Sequence, residues 1–143
     1  MTVPNQESSP SPESSGEVAT FDTIRNAYVA LVGHVPASIE KRIEVARATD
    51  RQRAIVAIEK LREALIMDNP LGRKTGQLVH FGQLLALGEQ GPAKLHARAA
   101  RQAGASLAEL VGVAELALIT SGMPAYSLGI EIISDLDAES PKQ

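Results

Sequence analysis

Apolar residues recur at the spacing of an α-helix along most of the chain. In TFDTIRNAYVALVG, Phe21, Ile24, Tyr28, Leu31 and Val32 share one stripe. Gly33 ends that stripe, and HVP turns the chain into a second helix from Ser38 to Ala48. In DRQRAIVAIEKLREALIMDNP, the residues Ile55, Ile58, Leu61 and Leu65 form an apolar face opposite Lys60 and Glu63, and Asn69-Pro70 stops the helix. RKTGQLVHFGQLLALG follows, with Leu78, Phe81, Leu84 and Leu85 expected to face inward.

Pro92 suits the first turn of the next helix and Gly104 its C-terminal cap. Ser106 and Glu109 then form an S-x-x-E capping box that opens LAELVGVAELALIT, and Gly122 and Pro124 separate it from a last helix, PAYSLGIEIISDL. No strand alternation appears. The expected fold is an all-α, single-domain bundle of about six helices spanning residues 20 to 136, with an antiparallel hairpin of the two helices that flank Gly104 to Ser106. Residues 1 to 19, rich in Ser, Pro and Glu, read as a disordered tail without the pattern of a targeting signal, and residues 137 to 143 as a frayed end.

The helix from 107 to 121 is apolar on nearly every side and needs cover on nearly every side. A chain of 143 residues with 3% aromatics supplies that poorly, so a homo-oligomer is expected. No apolar run is long enough to span a membrane. The net charge of -3 argues against nucleic-acid binding. The absence of cysteine removes disulfides, thiolate metal sites and thiol redox chemistry, and is compatible with a cytoplasmic location. The three histidines show no metal-ligand spacing, so no protein-ligated metal is expected.

KLHARAARQAGASLAELVGVAELALITSGMPAYSLGIEII resembles the carboxymuconolactone decarboxylase family, the wider group that includes alkylhydroperoxidase D. The pattern L-H-x-R-x-A-x-x-x-G-A-[ST] falls on Leu95, His96, Arg98, Ala100, Gly104, Ala105 and Ser106, followed by Glu109 and by Gly122, Pro124 and Ala125. The resemblance covers roughly residues 21 to 135. It implies an alkylhydroperoxidase D-like helical fold, assembly as a trimer or hexamer, and cofactor-free lyase or isomerase chemistry on a small organic acid or lactone. Peroxidase-type members carry a C-x-x-C whose positions here are Glu89 and Pro92, and a glutamate whose position here is Gln77. No cysteine-based peroxidase activity is therefore expected. Acidic positions of the decarboxylase-type branch fall on Pro92 and Gly112.

Two catalytic candidates emerge. His96 heads a stripe of Ala99, Ala100 and Ala103, with room beside it for a substrate. It is either a proton-transfer group, which a near-neutral pKa would suit, or a buried framework histidine. Glu115 stands alone in LVGVAELALIT, where a carboxylate needs a partner. It is either a structural ion-pair member or a pocket carboxylate that charges His96, and a hairpin would bring the two level. Gln77, Glu89, Arg98 and Tyr126 are candidate substrate-binding residues, while His80 reads as a satisfied core or interface group. A non-catalytic helical oligomer that binds a small ligand or a partner protein fits the same residues.

Overall fold

The computed structural model describes residues 12–139. Among them are seven α-helices and no strand: α1 (Pro12–Val32), α2 (Ala37–Ala48), α3 (Gln52–Met67), α4 (Gly72–Leu87), α5 (Gln90–Gln102), α6 (Leu107–Ser121) and α7 (Met123–Glu139). The first helix thus starts at Pro12, inside the stretch expected to be tail. Residues 1–11 and 140–143 lie outside the described residues. No helix among those described is long and apolar enough to cross a membrane.

Local chemistry sets the boundaries. Gly88 closes α4 at φ 72°, a left-handed conformation that favours glycine. There the Gly88 N–H donates to the Leu85 carbonyl at 3.1 Å and the Glu89 N–H to the Leu84 carbonyl at 3.0 Å, the paired bonds of a Schellman turn. At the start of α6, the Glu109 N–H donates to Ser106 Oγ at 3.1 Å and the Ser106 N–H to Glu109 Oε2 at 2.7 Å. The expected capping box is complete.

The turn at Gly88 folds α5 back along α4, and the turn at Gly122 folds α7 back along α6. These are the antiparallel hairpins. The pair expected on either side of Gly104 does not form one, because α6 packs chiefly on α4 and α7 instead of on α5. α4 is therefore central. Phe81, Leu84 and Leu85 meet a core of small residues from α5 to α7, among them Ala93, Ala97, Ala114 and Ala125. Gly129 permits the close crossing of α7 over α6: a Cβ there would lie 2.7 Å from that of Ala114. A second cluster joins Phe21, Ile24 and Tyr28 of α1 to Ile39 and Ile43 of α2 and Ile55 of α3. Leu31 and Val32 of α1 form a third cluster with Ala99 of α5.

The apolar row of α3 turns outward. Ile55 is buried, but Ile58, Leu61 and Leu65 are each more than half exposed. The buried side of α3 instead carries Glu59, with Arg62 partly covered beside it. α6 behaves similarly: Leu110, Ala114 and Ala117 are buried, while Leu116 and Ile119 are 70% and 80% exposed.

Candidate functional site

The α4–α5 hairpin builds the site. Gln77 and His80 are three residues apart on α4, so both reach the same side of the helix. His96 comes from α5, among alanines whose small side chains let the helices close on it. His96 and Gln77 are each 3% exposed. Nδ1–H of His96 donates to Gln77 Oε1 at 2.7 Å. An amide carbonyl in that place puts the ring hydrogen on Nδ1 and leaves the lone pair on Nε2. The half-buried ring of His80 lies against that of His96, with centroids 3.9 Å apart and an interplanar angle of 41°.

Both rings are pushed toward the neutral form. Burial pushes the His96 pKa from its ordinary 6.5 down to about 3, helped by the neighbouring His80 and by the positive charge of Arg62. Burial and Arg62 lower His80 in the same direction. Gln77 contributes an acceptor without charge, so nothing at Nδ1 offsets the lost hydration of an imidazolium.

Arg62 belongs to a second polar group at the α1–α3 contact. Tyr28 donates its hydroxyl to Glu59 Oε2 at 3.0 Å. Arg62 Nη1 donates to the Tyr28 oxygen and, at 3.3 Å, to Glu59 Oε2. Arg42 Nη1 reaches Glu59 Oε1 at 3.4 Å. Glu59 is only 7% exposed, and a buried carboxylate requires such partners. Burial raises the Tyr28 phenol to about 12.

The structure brings together Gln77 and His96 and adds His80. It does not bring Glu115 to them. Glu115 is exposed on α6, one residue past buried Ala114, and the hydrogen-bond partner of His96 is Gln77. The expected rise in the His96 pKa is likewise replaced by a fall. Arg98 is ion-paired with Glu139 of α7. Glu89 is exposed in the α4–α5 turn, and Tyr126 is half-buried against the main core. Glu89 and Gln90 lie at the start of α5, and Gln90 and Arg98 line an open depression along its outer side together with Lys94 and His34. No cluster of three or more potential metal ligands occurs among the described residues.

Sequence reasoning passed over Glu59 and Arg62. The available signal was a carboxylate four residues after Ile55, on the side of α3 that the buried isoleucine defines. The tyrosine hydroxyl in the α1 stripe also demanded a partner.

A family model described as the carboxymuconolactone decarboxylase family matches residues 54–134, more than half of the chain and the segment that carries Gln77, His80 and His96. No curated protein and no solved structure matches the chain.

Proposed function

Since this chain belongs to the carboxymuconolactone decarboxylase family, we propose that it is a cofactor-free lyase or isomerase that moves a proton on a small organic acid or lactone at His96. The carrying observation is the 2.7 Å bond that fixes the buried His96 ring on Gln77 and reserves Nε2 for exchange. A neutral imidazole is the resting form of such a site. A bound substrate carboxylate offsets the burial that disfavours the imidazolium and raises the affinity of the ring for a proton. Loss of carbon dioxide breaks the bond between carbon and carboxylate and leaves the electron pair in a dienolate. His96, having taken up a proton from solvent, delivers it to the carbon that lost carbon dioxide and is neutral again. His80, stacked on His96 and half-buried, is suited to exchange the proton with solvent.

The exposed apolar rows of α3 and α6 support assembly as a homo-oligomer, a trimer or hexamer by analogy with the family. A cytoplasmic location belongs to the same reading, in keeping with a cysteine-free chain. Release of carbon dioxide from carboxymuconolactone by the native protein, and its loss in His96→Gln with the fold retained, is the expected result. An inert native protein would favour a second reading, a helical oligomer that binds a small ligand or partner without turnover. The observation on that side is Gln77 itself, an amide that cannot carry a proton where peroxidase-type members have an acid.

A further inference from the structure

A cavity of about 180 Å³ lies between α1 and α3, and none of Gln77, His80 and His96 lines it. Its walls are mostly aliphatic, from Ile24, Leu31, Val56 and Ile66. Ala27 and Ala30 of α1 keep it open, because larger side chains there would fill it. It is open to solvent along Ala27 and Ala30, both exposed, and has room for a chain or ring of about six carbon atoms.

One end of the cavity is polar, formed by Tyr28, Glu59 and Arg62. Glu59 is shared by Arg62 and by Arg42, which reaches it from outside the cavity, so this cluster of three carries one net positive charge. The Tyr28 phenol, raised to about 12, stays neutral and leaves that surplus in place. Arg62 lines the cavity, is partly exposed, and holds both Tyr28 and Glu59 through Nη1. At the mouth, Lys60 and Glu63 cancel one another.

We propose that this cavity binds a small monocarboxylate with an apolar chain or ring of about six carbon atoms. The carboxylate rests on Arg62 and the apolar part lies between Ile24, Leu31 and Ile66. The inference depends neither on a reaction at His96 nor on the family.

Isothermal titration of the full-length protein with hexanoate, butanoate and hexylamine tests it. Hexanoate should saturate one site per chain and bind at least about tenfold more tightly than hexylamine. It should also bind about sixteenfold more tightly than butanoate, about fourfold for each methylene buried. Ala27→Leu, at an exposed position of α1, should abolish hexanoate binding without lowering the melting temperature. Arg62→Met should keep the chain-length dependence and lose the preference for the acid. The comparison with hexylamine reads the charge preference in the native protein, whatever the folding of the Arg62 variant. Absence of saturable binding, equal affinity for the amine, or undiminished hexanoate binding by Ala27→Leu overturns the proposal. So does a fall in oligomer mass in Ala27→Leu, which would show that a second copy fills the cavity.

Discussion

At the scale of the residue, an amide in place of an acid decides the charge of the site. Gln77 accepts from His96 but cannot stabilise a proton on it, and burial then carries the His96 pKa down to about 3. Gln77→Glu would set a carboxylate against Nδ1 and should raise the His96 pKa by about 1 to 3 units, read by NMR titration. The native depression also links stability to pH. Below the unfolded value of 6.5 the unfolded chain takes up a proton that the folded site refuses, so stability falls as pH drops from 6.5 to about 3. The difference is about 2 kcal/mol at pH 5. Denaturant unfolding at pH 7 and pH 5 should show this loss in the native protein, with His96→Gln lacking that part of it. A histidine above a row of alanines and a glutamine at an acidic family position both stand out in the sequence, but their bond to each other does not, because it depends on how α4 and α5 pair. Glu115 was misplaced because a lone carboxylate in an apolar run looks buried, whereas this run is apolar on its exposed side as well.

The elements explain that error further. Propensity and capping located helices well: Ser106 with Glu109 and the stop at Gly88 are local signals that act through their own hydrogen bonds. Helix pairing is not local. The turn at Gly104 permits an α5–α6 hairpin, but the small-residue faces of α6 and α7 fit each other more closely, with Gly129 against Ala114. Gly129→Ala should therefore destabilise the fold by about 1–3 kcal/mol, because the new methyl would lie 2.7 Å from Ala114 Cβ and 3.0 Å from Leu85 Cδ1. Ser106→Ala should remove about 1 kcal/mol through the lost cap. Denaturant unfolding of the two variants separates a packing effect from a capping effect by size.

Across the whole molecule, the outward rows of α3 and α6 leave large apolar side chains exposed. Leu116 and Ile119 are 70% and 80% exposed, in keeping with faces that another copy covers. Sedimentation equilibrium should give a trimer or hexamer. Paired Leu116→Glu and Ile119→Lys substitutions should lower the mass while the helical circular dichroism persists. A native protein that sediments as a folded monomer would refute the assembly.

His96 rests as a neutral ring, held through Nδ1–H on Gln77. Long-range nitrogen–proton NMR spectra of the histidine rings, followed from neutral pH downward, test this most directly. The expected spectrum shows a His96 ring protonated at Nδ1 alone at pH 7, which stays neutral until pH approaches about 3 while the protein remains folded. A His96 ring that carries its hydrogen on Nε2, or that titrates near the ordinary 6.5, would contradict it.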